Sequence, residues 1–193
     1  MNTMIQGAAL ALGVLASSTA FGQTAATPRA PAHPAPAMST SAATSTGRLN
    51  DADQKFVSDA AIGGMFEVES GKLAEKSTNA KVREFGARMV RDHSTADNKL
   101  KQIVAQQGGT VPNSLDQEHQ QKLDQLASLK GQDFDRQYAQ MMVQDHDTDA
   151  QDFGKAAQNL TDPQLKQFAA QTLKVIESHD KLAHQMANQM AVK

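Results

Sequence analysis

One five-residue phrase occurs twice in this chain, and its spacing sets most of what the chain can become. Met89-Val90-Arg91-Asp92-His93 returns 53 residues later as Met142-Val143-Gln144-Asp145-His146. The correspondence extends outward, matching Phe85 with Tyr138, Thr95 with Thr148 and Leu100 with Phe153. Around both copies the apolar residues recur every three or four positions, the period of a helix with one buried face. A histidine at matched places on two such helices predicts a pseudo-symmetric helical bundle with a polar centre.

The punctuation between apolar runs divides the chain into helices. Asn50 is read as the N-cap of a first helix running to about Ser77, and Asn79 as the cap of a second that stops at Gly108-Gly109. Pro112-Asn113-Ser114 is a turn, and Ser114 with Gln117 has capping-box spacing. A short helix is expected from about Leu115 to Leu129, then a break at Gly131 and a third long helix from Gln132 to Gln158. Thr161 and Gln164 again have capping-box spacing, and the last long helix runs to about Ala191. The expected fold is therefore all-α, a ferritin-like four-helix bundle with a short extra helix in the crossover between the second and third long helices. Gly63-Gly64, inside the first helix, reads as a point of close helix packing.

Four apolar stripes carry polar interruptions. On the second helix the stripe is Val82, Phe85, Met89, Ala96, Leu100 and Ile103, with His93 inside it. The third helix has Phe134, Tyr138, Met142, Phe153 and Ala156 around His146. The fourth has Leu165, Phe168, Thr172, Ile176, Leu182 and Met186 around His179. On the first helix Glu69 sits within Ile62, Phe66 and Leu73, while Glu67 lies on an adjacent face beside Ala60, Gly63 and Ala74. An unpartnered buried polar group costs roughly 1–3 kcal/mol, so interruptions on four helices are best explained if they meet.

His93, His146, His179 and either Glu69 or Glu67 form a chemically sensible ligand set for a divalent transition metal: zinc, copper, iron or manganese. Asp92 and Asp145 each precede a histidine by one residue, which turns them about 100° around the helix. Each is expected to accept a hydrogen bond from the histidine of the other repeat. The competing reading is a structural or interaction module in which the same side chains form only a buried hydrogen-bond network. No Glu-x-x-His pair of the di-iron type lies on a long helix, and no phosphate loop or nucleophile elbow is present. His119 and His184 are read as solvated, and the methionines as core filler.

Outside the bundle, Gly7 to Ala16 is apolar and Ala20-Phe21-Gly22 fits a small-x-small cleavage pattern, so residues 1–22 read as a signal peptide. That run of roughly 10 residues is short against the roughly 20 a spanning helix needs, so no transmembrane span is expected in the mature chain. Residues 23–48 are Ala, Pro, Ser and Thr with only Arg29 and Arg48 charged, the composition of a disordered tether. The remainder, 49–193, carries 17 basic and 21 acidic residues, a balance that argues against nucleic acid as a partner. With no cysteine in the chain, a periplasmic or secreted protein is expected, with a second copy or an envelope component as its possible partner.

The residues also resemble a known family. Gly63-Gly64-Met65-Phe66-Glu67-Val68-Glu69-Ser70-Gly71-Lys72-Leu73-Ala74, the two Met-Val-x-Asp-His phrases, and the segment from Leu165-Lys166-Gln167-Phe168-Ala169 to His179 look like the bacterial domain-of-unknown-function family 4142. The resemblance covers about residues 50–187 and implies a ferritin-like bundle, usually exported, with no established activity. Family members often carry Leu-Pro in the last helix, whereas Leu173 is followed by Lys174 here. The last helix should therefore run without a proline kink.

Overall fold

Carboxylates, amides and glycines at the helix ends decide where each helix begins and stops. The computed structural model describes residues 49–191. The expected signal peptide and tether lie outside the described residues. The helices are α1 Asp51–Ala74, α2 Ala80–Gln106, α3 Gln117–Ser128, α4 Gly131–Asn159 and α5 Pro163–Ala191. The all-α bundle expected from the sequence is what the chain forms, with α3 in the crossover. α5 is uninterrupted past Lys174.

Asn50 caps α1 by accepting the Asp53 N–H, and Asn79 caps α2 by accepting from Lys81. At two other starts the sequence reading needs correction. The cap of α3 is Asp116, whose carboxylate accepts from the His119 N–H at 2.8 Å, and not Ser114. Asp162, rather than Thr161, caps α5, accepting from Gln164 and Leu165 at 2.9 Å each. In both places an aspartate stands immediately before the first helical residue, and its anionic oxygen outcompetes a more distant hydroxyl. Pro163 then occupies the first position of α5, where its missing N–H costs nothing. The Thr161 and Asp162 N–H groups donate to the buried carboxylate of Asp53 at 3.0 and 3.1 Å, tying the α4–α5 turn to the start of α1. Gly108 and Gly131 have φ of +70° and +58°, a conformation that favours glycine at a helix end and a helix start.

α1 packs along α2, α4 along α5, and α2 also against α5. α2 and α4 lie across the bundle diagonal. Val57 and Ala61 of α1 share one apolar cluster with Leu100 and Val104 of α2, Phe153 of α4, and Leu165 of α5. The opposite cluster joins Ala74, Val82, Phe134 and Met186. Adjacent helices are thus antiparallel, while α2 and α4 run the same way. The 24-residue connection from Gln107 to Lys130 returns the chain along the length of the bundle, and its α3 docks by Leu126.

The buried face of α1 differs from the expected one. It carries Val57, Ala61, Gly64, Glu67, Gly71 and Ala74 together with the expected Phe66, while Ile62 and Leu73 are only half-buried, so the stripe is centred nearer the Glu67 face. Of Gly63-Gly64, Gly64 does stand at a close contact, against the Asp97 side chain of α2, and the backbones of α1 and α2 approach closely again at Gly71 and Gly86. A Cβ on Gly86 would lie 2.7 Å from the Gly71 carbonyl oxygen and from Ala74 Cβ. Gly86→Ala should therefore cost about 1–3 kcal/mol through overpacking. Gly154→Ala, with no atom within 4 Å of the new methyl, should stabilise by up to about 1 kcal/mol. Urea unfolding of the two variants beside the parent checks both signs.

Candidate metal centre

Between the two apolar clusters lies a layer of buried polar side chains. His93, His146 and His179 are 5%, 0% and 1% exposed, and Glu67 is 2% exposed, so none has bulk water as a partner. Each comes from a different long helix. One ring nitrogen of each histidine lies within 4.8 Å of the others.

The hydrogen bonds settle the tautomers. His146 Nδ1 is 2.9 Å from the Met142 carbonyl oxygen, which can only accept, so the His146 proton sits on Nδ1 and the Nε2 lone pair faces inward. His179 Nε2 donates to Asp92 Oδ2 at 2.9 Å, so its Nδ1 is the bare nitrogen. That atom faces His93 Nε2 at 3.3 Å. On its other side His93 Nδ1 meets Glu67 Oε2 at 2.7 Å, while Glu67 Oε1 faces His146 Nε2 at 3.4 Å.

Burial governs the charge state. It lowers each of the three histidines to about 4, so at neutral pH they are uncharged imidazoles. Burial likewise raises Glu67 to about 8, with His146 opposing and the nearby charges of Asp145 and Asp97 adding to the rise. Asp92 is pulled upward by partial burial, but the His179 hydrogen bond and the Arg91 charge hold it below the usual carboxylate range. The chain Asp92–His179–His93–Glu67 therefore closes with neutral imidazoles, an ionised Asp92 and a protonated Glu67. One carboxyl proton cannot serve both His93 Nδ1 and His146 Nε2. His146 Nε2 and Glu67 Oε1 remain buried without a hydrogen-bond partner. The layer is one positive charge or one donor short of satisfaction.

The other singled-out residues fall outside this layer or reach it differently. Glu69 is exposed and pairs with Lys72 at 2.6 Å, because it stands two residues, about 200°, around the helix from Glu67. Asp92 bonds His179 on α5 and not the His146 of the other phrase. Asp145 bonds no histidine: its Oδ2 is buried without a partner, and Lys122 and His119 of α3 are the charges that most relieve it. The same turn around α2 and α4 points Asp92 at a histidine but Asp145 toward α1, which offers the acid Glu67. His119 is half-buried rather than solvated, with its ring edge-on to Phe66 at 5.5 Å and Nδ1 on Asp116. His184 is exposed near Asp147 and Asp180. Met89, Met141, Met142 and Met186 belong to one apolar cluster.

Two acids beside the layer escaped the sequence reading. Burial raises Asp97 to about 6 and pushes Asp149 well above its ordinary range. They follow His93 by four residues and His146 by three, so helical spacing from the histidines was the signal that could have found them.

The protonated state of Glu67 has a measurable consequence. An acid raised on folding contributes stability that is complete below its unfolded value near 4.5 and lost by about pH 8. Glu67→Gln keeps the shape and removes the ionisation. Its stability relative to the parent should rise between pH 4.5 and 8, by an amount on the order of a few kcal/mol, and level off above. Chemical denaturation of both proteins across that range gives the sign.

The family model for the domain of unknown function DUF4142 matches residues 38–186. A crystal structure of a DUF305 fragment from Deinococcus radiodurans superimposes with a TM-score of 0.64 at 12% identity, covering 74% of this chain and 99% of that one. At that identity the likeness concerns the fold. No curated protein matches significantly. By the extent of the family match and the helical architecture, this chain belongs to the DUF4142 family.

Proposed function

We propose that this is an exported, ferritin-like helical bundle that holds a divalent transition metal ion in its central layer, with His93, His146, His179 and Glu67 as ligands. The observation that carries the reading is the pair of facing buried atoms, His146 Nε2 and Glu67 Oε1, that no proton in the layer satisfies. A cation supplies the missing charge. Its ligands are already in the form a metal takes, since metals bind the neutral imidazole lone pair. The spacing is compatible as well. Nitrogen or oxygen ligands at about 2.0–2.1 Å from a tetrahedral zinc lie roughly 3.3–3.4 Å apart. His93 Nε2 and His179 Nδ1 are 3.3 Å apart, and His146 Nε2 and Glu67 Oε1 are 3.4 Å apart. On binding, the His93 proton would move to Nδ1 and be held by Glu67, and Asp92 would keep His179 in its ligating tautomer. Export is supported by the apolar run and cleavage pattern within residues 1–22. Among the described residues no helix is long and apolar enough to cross a membrane.

A second reading rests on the continuity of Asp92–His179–His93–Glu67, which closes three of the four side-chain contacts without an ion and would fix helix register. Purification from the periplasm without chelator or affinity tag, followed by elemental mass spectrometry, separates the two. Near-stoichiometric zinc, copper, iron or manganese is expected, and it should vanish when His93 and His146 are both replaced by Leu. If the parent holds no metal and gains no thermal stability from added ions, the register reading stands instead. Because burial depresses the proton affinity of the imidazoles to about 4, protons compete weakly with the metal. Dialysis at falling pH should show retention to about pH 5, where exposed histidine sites with the ordinary value near 6.5 have released their ion.

A further inference from the structure

A cavity of about 420 Å³ opens beside the polar layer, walled by α1, α2, α4 and α5. Its rim is exposed and already neutralised, with Lys55 paired to Asp59 at 2.6 Å and Lys155 to Asp152 at 2.9 Å. Its walls are aromatic. Phe56, Phe153 and Phe168 meet edge to face or tilted, with centroids 5.2 to 6.3 Å apart, and all three line the space. Its inner end carries three acids from three helices, Glu67, Asp97 and Asp149. No lysine or arginine forms an ion pair with any of the three among the described residues. Around Asp149 every neighbouring charge is another acid: Glu67, Asp145 and Asp152.

The volume and the donor geometry exclude a bare ion as the fitting occupant. A water-sized species needs about 30 Å³, whereas about 300–1,000 Å³ is the range of small-molecule pockets. The three carboxyls are also not gathered within 4.8 Å of one another, as the three histidines are. Separated acids at the end of an aromatic chamber instead match a ligand with a positive head and an apolar body, which phenylalanine faces also attract.

We propose that this cavity binds a small organic cation, a protonated amine whose head is held by Asp97 and Asp149 and whose apolar portion lies against Phe56, Phe153 and Phe168. An ammonium group brings positive charge to an inner end where, among the described residues, only Lys101, acting on Asp97 without an ion pair, supplies any. Gly64 makes the arrangement possible: a side chain there would collide with the Asp97 carboxylate, which rests against the α1 backbone. Gly63, next to it, lines the cavity and has no atom within 4 Å of where a Cβ would stand. Gly63→Leu therefore places its side chain in the cavity, with its Cβ clear of every neighbour.

The test is isothermal titration calorimetry with 2-phenylethylamine and its neutral counterpart 2-phenylethanol at pH 7.5, on protein stripped with chelator. Stripping makes the result independent of the metal centre. The amine is expected to bind one-to-one, and the alcohol at least tenfold more weakly, a difference of about 1.4 kcal/mol. Asp97→Asn and Asp149→Asn should each weaken amine binding about tenfold or more. Gly63→Leu should abolish it while circular dichroism and Tm report an intact bundle. No binding of the amine to the parent, equal binding of amine and alcohol, or binding that survives Gly63→Leu would each overturn the proposal.

Discussion

Everything in this bundle is arranged around one costly layer. Four side chains that prefer water are sealed between two apolar clusters, and Glu67, His93 and His179 find their partners on other helices. Apolar contacts tolerate sliding, because one methyl group serves nearly as well as the next. The layer does not: a shift of one helical turn would separate His93 from Glu67 and His179 from Asp92, leaving buried groups unpaired. The polar layer therefore sets the helix register, and the apolar clusters above and below supply most of the driving force.

The topology makes such a layer possible. The crossover reverses the chain's course so that α2 and α4 run in the same direction on opposite sides of the bundle. Two phrases 53 residues apart then arrive at the same level and face each other through the centre. α5 fills one remaining side with His179, and α1 the other with Glu67. That difference breaks the symmetry. Where Asp92 finds an imidazole, Asp145 finds an acid, and carboxyl groups that burial raises gather on the α1 side: Glu67, Asp145, Asp97 and Asp149. The acid-rich, aromatic-walled cavity opens there. A nitrogen-lined centre and a carboxyl-lined chamber thus share Glu67 as their common wall.

Much of this was legible in the residues themselves. Helical periodicity is local, so the stripes of α2, α4 and α5 and the histidines within them could be read directly. The first helix was harder. Its apolar residues are small and widely spread, and glycines and alanines mark two faces about equally well, so the stripe was drawn through the buried Phe66 but along the half-buried Ile62 and Leu73 instead of Gly64, Glu67 and Gly71. For the same reason the residues left the choice between Glu67 and Glu69 open. Capping failed for a similar reason: two hydroxyls had the right spacing, but aspartates one or two positions later had the right placement.

The sequence by itself determined the helical class, the crossover, the apolar stripes and the presence of three histidines within them, because all of these follow from periodicity and local caps. Only the tertiary structure decided which carboxylate enters the layer, which aspartate serves which histidine, and that Asp97 and Asp149 gather beside a cavity. Those outcomes depend on the rotation of each helix about its own axis and on what the neighbouring helix presents at that level. Rotation is set by packing across the whole bundle, and no window of local sequence contains it.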